Sequence, residues 1–420
     1  MGDRNWIGSG SQEAGVAIVG AGIAGLTLAL QLDSVGIAST VFEAAPAVEP
    51  LGVGINILPH ASRVLCLLGL ESPLLEKSIA TANSVFYNRF GQLIYSEPLG
   101  RAGGYEFPQF SIHRGDLQEV LLKAAIERRI PVELGHKVTS VDQDQKIATL
   151  HFDQQSAEVP DRTASVVVGC DGIHSVLRKQ LHPAEGDPRY SGVNMWRGVT
   201  IWPKILDGAS MIRAGWLTTG KMVIYPIRDS VDEQGRQLIN WVAELETERY
   251  RRRDWSRPGS LDDFAGSFAN WQFDWMDVPA FLNASEEVLE YPMVDQDPLS
   301  TWTDRRITLL GDAAHPMVPR GSNGAGQAIL DAKCLSDCLV QEESLEAALA
   351  RYEYERLAAT SKVVLTNRVN PPDIILKIVA DRTGDRPFDR IEDVISEEEL
   401  KSISDSYKSI AGYSKEQLAG

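Results

Sequence analysis

Cysteine is scarce: the 420 residues hold four (Cys66, Cys170, Cys334 and Cys338), without the spacing of a secreted disulfide scaffold. This excludes a small cross-linked fold and points to a reducing, cytoplasmic setting. Cys334 and Cys338 stand one helical turn apart, but no further Cys or His cluster completes four ligands. They read as packing residues, and no metal site is expected. Basic residues are also short: 41 Lys and Arg against 58 Asp and Glu leave a net charge of -17, which argues against nucleic acid or an anionic membrane as the main partner. No stretch reaches about 18 uninterrupted apolar residues. Residues 1–15 are polar, read as a frayed tail, and lack the basic start and apolar core of a secretory signal. The chain ends in Gln-Leu-Ala-Gly without a lipidation or peroxisomal signature, so no membrane anchor is expected. Internal repeats and low-complexity tracts are absent.

What is present is a large apolar fraction, 43%, over a length that exceeds one usual core, so two domains are the default. Val16 to Val19 are β-prone, Leu26 to Leu32 are helical, and Thr40-Val-Phe is β-prone again. Between the first strand and the helix lies Gly20-x-Gly22-x-x-Gly25, and Glu43 ends the second strand. This is the context of a dinucleotide-binding turn: the glycines let the backbone approach a pyrophosphate at a helix N-terminus, and the acid can bond ribose hydroxyls. Ala24 in the turn and Ala44 beside the acid join Gly20, Gly22, Gly25 and Glu43 as candidate cofactor contacts. The turn does not by itself separate NAD from FAD, and a glycine turn of an ordinary α/β protein stands as its bland alternative.

The separation comes from Arg306-Ile-Thr-Leu-Leu-Gly-Asp-Ala-Ala-His315. A buried strand delivers Asp312 at its C-terminal end, where a carboxylate can accept hydrogen bonds from a ribityl chain, a group that NAD lacks; a mere helix cap is the competing reading. Pro319-Arg-Gly-Ser-Asn-Gly-Ala-Gly326 follows and opens a helix. Pro319, Gly324 and Ala325 are expected to line the flavin edge, where the helix N-terminus favours negative charge on a reduced flavin.

The fold expected is α/β: a Rossmann-like FAD-binding domain carrying an inserted, mainly antiparallel β-sheet domain and a helical C-terminal segment. Residues 1–81, 105–185 and 299–345 build the FAD-binding domain, 82–104 a hairpin of the substrate domain, 186–298 the substrate domain itself, and 346–420 the helical tail. Asp116 with Glu119 has capping-box spacing and is expected to start a helix.

Together with Asp171-Gly172, the glycine turn and Gly311-Asp312 make the chain similar, over about residues 15–365, to the group A flavoprotein monooxygenases, the family of p-hydroxybenzoate and salicylate hydroxylases. Within the family it is most similar to the phenazine-pathway branch, through Leu51-Gly-Val-Gly-Ile-Asn56, Ser111-Ile-His-Arg-Gly-Asp-Leu-Gln118 and Met195-Trp-Arg-Gly-Val-Thr200. The resemblance implies that Arg114 and Gln118 hold the ribityl and phosphate region and that Val138 meets the adenine. It implies that Gly54 and Ile55 lie beside the isoalloxazine ring, and that Asp171 contacts flavin and nicotinamide. The activity implied uses NADH or NADPH to reduce FAD, then O2, and hydroxylates a small aromatic or N-heteroaromatic ring through a flavin C4a-hydroperoxide. No catalytic side chain is named, because the cofactor carries the hard step. His60 and His315 are tempting bases, but His315 reads as packing.

For the substrate, Trp196, Met211, Trp216, Tyr225, Trp241 and Met293 can wall an aromatic pocket, with sheet core as the alternative for each, and Arg320 stands in the flavin-edge loop. Epoxidation or Baeyer–Villiger insertion on a natural product, and a non-catalytic binding protein like a GDP-dissociation inhibitor, remain rivals. The substrate, the choice between NADH and NADPH, and the choice between monomer and homodimer stay open at this level.

Overall fold

A computed structural model describes residues 14–48, 52–154, 159–248 and 258–418. Most of the expected N-terminal tail and Leu51 fall outside the described residues.

The chain begins with β1 (Ala14–Val19), α1 (Ile23–Ser34) and β2 (Ser39–Phe42). β1 pairs in parallel with β2 on one side. β3 (Gly54–Ile57) then leaves this layer. A hairpin of β4 (Asn83–Tyr87) and β5 (Leu93–Pro98) follows within the expected 82–104 hairpin, turning at Arg89-Phe-Gly-Gln92. β6 (Phe110–His113) runs straight into α2 (Arg114–Glu127), and β7 (Val132–Glu133) returns beside β2. β8 (Arg162–Gly169) pairs in parallel with the other side of β1.

Because the chain goes to β2 on one side of β1 and to β8 on the other, β1 is the topological switch point. Ligands of open α/β sheets bind beyond the carboxyl ends of the strands at such a point.

The inserted sheet adds β9 (Arg189–Trp202), β10 (Ser210–Trp216), β11 (Gly220–Arg228), β12 (Gln237–Glu246) and β13 (Val288–Asp295). Its order is β13-β9-β12-β11-β10-β4-β5, antiparallel except for the β10–β4 pair. The chain returns to the first sheet as β14 (Ile307–Leu309), parallel to β8. It ends in helices: α3 (Gly324–Gln341), α4 (Leu345–Val369), α5 (Ile374–Thr383) and α6 (Glu397–Ala411). Among the described residues no helix is long and apolar enough to cross a membrane.

One local expectation is corrected. α2 starts at Arg114, and its cap is His113, whose Nδ1 accepts from the Gly115 amide at 3.2 Å. The chain enters the helix directly from β6, so the junction residue takes the cap. Asp116 instead pairs with Arg228 of the inserted sheet, and Glu119 with Lys77 at 2.6 Å.

A buried charge network ties the tail to the inserted sheet. Lys221 meets both Glu244 oxygens at 3.1 Å and also Asp373, just ahead of α5. Arg213 Nε reaches Asp373 at 2.9 Å. Burial alone would raise the Asp373 pKa, but Lys221 and Arg213 bring it below the ordinary carboxylate value.

Candidate active site

The glycine turn closes against the strand end that carries the second motif. Gly20 has φ +105°, and a Cβ there would meet the Cys170 carbonyl oxygen at 2.6 Å; one at Gly25 would sit 2.0 Å from the Gly20 oxygen. No side chain can be added at either place without moving backbone. A Cβ at Gly22, by contrast, would meet open space, and Gly22 is the N-cap of α1 with no side-chain cap. The first amides of α1 therefore point outward without intrahelical partners, beside a concave backbone. Glu43 braces this turn, its two oxygens accepting from Ala21 N at 2.7 Å and Ala45 N at 2.9 Å. Gln118 donates to the Ala21 oxygen at 2.8 Å.

Two carboxylates complete the rim. Asp171 accepts from Val176 N at 2.7 Å through Oδ2, while its buried Oδ1 has no hydrogen-bond partner among the described residues. Desolvation raises its pKa. Asp312 follows β14; its surface is accessible, yet it is deeply set, and desolvation again raises its pKa against the opposing pull of His315 and Arg114. Arg178 joins the two motif segments by donating to the carbonyls of Ala313 at 3.0 Å and Ala314 at 2.8 Å. α3 starts beside Asp312, since a Cβ on Gly324 would lie 3.8 Å from Asp312 Oδ1. Its N-cap, Asn323, makes no side-chain cap, and Asn323 Nδ2 is buried without a partner among the described residues.

The inserted sheet grips the strand expected to lie beside the flavin ring. Gly54 N donates to Asn240 Oδ1 at 2.7 Å, and the Gly54 oxygen accepts from Tyr225 Oη and an Arg197 guanidinium nitrogen, both at 2.8 Å. A Cβ on Gly54 would strike Asn240 Cβ at 2.6 Å, so only glycine allows this approach. Asn240 and Arg197 were missed in the sequence. Arg197 lies in the Met195-Trp-Arg-Gly-Val-Thr200 stretch, one residue after Trp196 and so on the opposite face of its strand.

A family model described as an FAD binding domain matches residues 13–367. The chain belongs to this family. It is 39% identical over 411 residues to phenazine 1,6-dicarboxylic acid hydroxylase PhzS of Lysobacter antibioticus, covering 96% of this chain and 98% of that one. It is 30% identical over 363 residues to 6-hydroxynicotinate 3-monooxygenase of Pseudomonas fluorescens, covering 84% and 90%. Among solved structures, Klebsiella pneumoniae HpxO complexed with FAD and uric acid aligns with a TM-score of 0.72 at 21% identity over 99% of this chain and 96% of that one. A salicylate hydroxylase substrate complex aligns with a TM-score of 0.70 at 24% identity over 96% and 97%. These structural likenesses show the fold. With the curated relatives, the family establishes an FAD-dependent aromatic monooxygenase.

The FAD binding domain's own residues fit the cofactor. The uncapped N-termini of α1 and α3 leave backbone amides free for an anionic group, and Asp171 Oδ1 and Asn323 Nδ2 are buried without partners among the described residues. Arg114, exposed at the start of α2, has no hydrogen bond or ion pair to its guanidinium among the described residues. Val138 begins the strand Val138–Gln143, and Ile55 follows Gly54 in β3. Ala24, Ala44, Pro319 and Ala325 are each at least partly exposed.

Neither histidine is placed as a base. His60 is buried, stacked on Tyr413 and bonded to Asn323 at 3.1 Å, and burial pushes its pKa down to about 3. His315 is buried with Nε2 2.6 Å from Asp331, which Arg356 also holds at 2.7 Å.

The aromatic set divides by sheet face. Tyr225, Asn240 and Val199 share one register, and Arg197 pairs with Val242 on the same face. Met211, Trp216 and Met293 pack on this face with Tyr225 and Val318. Trp196 and Trp241 point the other way, which corrects their assignment to one pocket with the rest. Trp196 stacks on Phe264 at 5.0 Å, and Trp241 donates to Ser285 Oγ at 2.9 Å. The physical reason is the two-residue period of a strand: Trp196 cannot face the side that Arg197 faces.

Proposed function

We propose that this monooxygenase hydroxylates a flat aromatic or N-heteroaromatic carboxylic acid, held between the flavin-edge loop and the face of the inserted sheet that carries Tyr225. The observation that carries the reading is Arg320 of the flavin-edge loop, which lines a cleft of about 610 Å3 with the apolar Val193, Trp216 and Leu217, the basic Arg368 and Lys377 and the acidic Glu246 and Glu248. That size falls within the roughly 300–1,000 Å3 of small-molecule sites. Arg320 Nε is buried without a partner among the described residues, and a guanidinium so placed can take a carboxylate through two parallel hydrogen bonds. The relatives' printed substrates include phenazine 1,6-dicarboxylic acid, 3-amino-4-hydroxybenzoate and 6-hydroxynicotinate, each an aromatic acid.

When bound, FAD supplies electron transfer from NADH or NADPH and the activation of O2. The chain's residues bind, orient and keep water out. Gly20, Gly22, Ala24 and Gly25 present backbone to the pyrophosphate, with Glu43 and Ala44 at the adenosine ribose and Val138 at the adenine. Arg114, Gln118 and Asp312 hold the phosphate and ribityl region, and Asp171 serves both flavin and nicotinamide. Pro319, Gly324 and Ala325 form the ring edge, where the α3 amides stabilise negative charge. Val193, Trp216 and Leu217 supply the apolar wall, with Met211 and Met293 buried in the core cluster that they join. Tyr225 is committed to the Gly54 carbonyl and orients β3 without moving a proton. Four free thiols support a cytoplasmic setting.

The test is a screen of aromatic acids, their amides and uncharged analogues for stimulated NAD(P)H oxidation, with product mass separating hydroxylation from peroxide release. Arg320→Met should raise KM for acids about tenfold or more while leaving the amides unchanged, which is the loss of one charge-assisted contact. Equal effects on acids and amides would refute the carboxylate reading.

A further inference from the structure

The two cysteines expected to be mere packing residues acquire a third donor in the fold. Cys334 and Cys338 lie four residues apart on α3, so both thiols face the same side. α4 packs along that side and brings Glu355 to them, with Cys334 Sγ 3.4 Å from Glu355 Oε2. One ligand atom from each of the three residues falls within 4.8 Å of the other two, and no other such group of His, Cys, Asp and Glu occurs among the described residues. We propose that Cys334, Cys338 and Glu355 form a binding site for a soft divalent cation of the zinc class, separate from the flavin centre.

The geometry suits the ion. A tetrahedral centre with Zn–S near 2.3 Å and Zn–O near 2.1 Å sets its donors about 3.5–3.8 Å apart, and the three donor atoms here already lie within 4.8 Å of one another. The carboxylate is already oriented. Its Oε1 accepts from Arg351 Nε at 2.7 Å, and Arg351 is itself held by Glu342 at 3.0 Å, so an outer partner fixes the ligand and offsets the site's negative charge. Access is graded: Cys338 is buried, Cys334 half-buried and Glu355 exposed, which leaves the fourth position to water. Two thiolates and a carboxylate favour zinc or cadmium over calcium or magnesium, which select oxygen-only shells. A bound ion would pin α3 to α4.

The probe is Cd2+ added to the reduced, flavin-loaded protein, read by thiolate-to-cadmium absorption in the ultraviolet and by melting temperature. The wild type should bind one Cd2+ per chain, with Zn2+ competing, and melt at a higher temperature when loaded. Cys334→Ser should lose about half the absorption. Arg351→Met should keep the band at saturation but weaken affinity about 10–100-fold. Cys66 and Cys170 are poor competitors, since neither belongs to a group of three such donors among the described residues. A band that is absent, or that persists unchanged when both Cys334 and Cys338 are serine, overturns the site. Flavin content reports whether each variant has folded. Should the buried Cys338→Ser change prevent folding, Cys334→Ser and Arg351→Met alone decide, and an unchanged affinity in both refutes the proposal.

Discussion

Asn240→Ala tests whether the inserted sheet sets the position of the flavin. The substitution removes the acceptor that Gly54 N reaches at 2.7 Å, in a place where both residues are buried. A buried amide left unpaired costs about 1–3 kcal/mol. The Gly54 carbonyl keeps Tyr225 and Arg197, so β3 stays attached at one edge and loses its hold at the other. If that hold is what keeps β3 in register for the isoalloxazine ring, the cost appears in FAD binding, with a ceiling of about 5- to 150-fold in Kd. Tyr225→Phe is the internal comparison. It deletes one of two donors to the same oxygen, worth about 0.5–1.5 kcal/mol, hence at most about a tenfold weakening. The assay is quenching of flavin fluorescence on titrating apoprotein, with circular dichroism to verify folding. A folded Asn240→Ala protein whose Kd lies within twofold of wild type, or a Tyr225→Phe variant weaker than Asn240→Ala, refutes the reasoning.

Three further outcomes are expected. Gly25→Val should give a folded, colourless protein, because even its Cβ would lie 2.0 Å from the Gly20 oxygen, and normal flavin content would contradict this. Asp312→Asn should weaken FAD binding yet raise the melting temperature of the flavin-free protein at pH 7. The folded Asp312 pKa is raised, so the folded state binds the proton more tightly and stability falls as pH rises from the ordinary carboxylate value through the folded one. The gain should vanish in acid, where both states are protonated, and a gain independent of pH would exclude this cause. Lys221→Met should destabilise by about 3–5 kcal/mol, because Glu244 is left buried without its cation. Adding Glu244→Leu should recover much of the loss in melting temperature, since Asp373 keeps Arg213.

The dinucleotide turn and the strand-end aspartate were legible because their signals are local. A strand, a glycine turn and a helix N-terminus are fixed by neighbours in sequence, and Gly20, Gly25 and Asp312 stand where those signals put them. The substrate side was not legible. Six aromatic and methionine positions were grouped by residue type, and strand alternation then sent Trp196 and Trp241 to the opposite face. That alternation was present in Met195-Trp-Arg-Gly, but which parity faces the flavin depends on how the sheet docks. The histidines show the same limit, since His60 is neutralised by burial under Tyr413, 353 positions away in the chain.

By itself, the sequence determined the dinucleotide turn, the aspartate at the end of a buried strand and the alternation of parallel, antiparallel and helical regions, because backbone preference and hydrophobic period act over a few residues. Only the tertiary structure decided that Asn240 would hold Gly54 across a separation of 186 residues, that Arg197 rather than Trp196 would face the Gly54 strand, and that Glu355 would meet two cysteines on another helix. Those contacts follow from sheet docking and helix packing, which place side chains through space and leave no spacing in the chain to read.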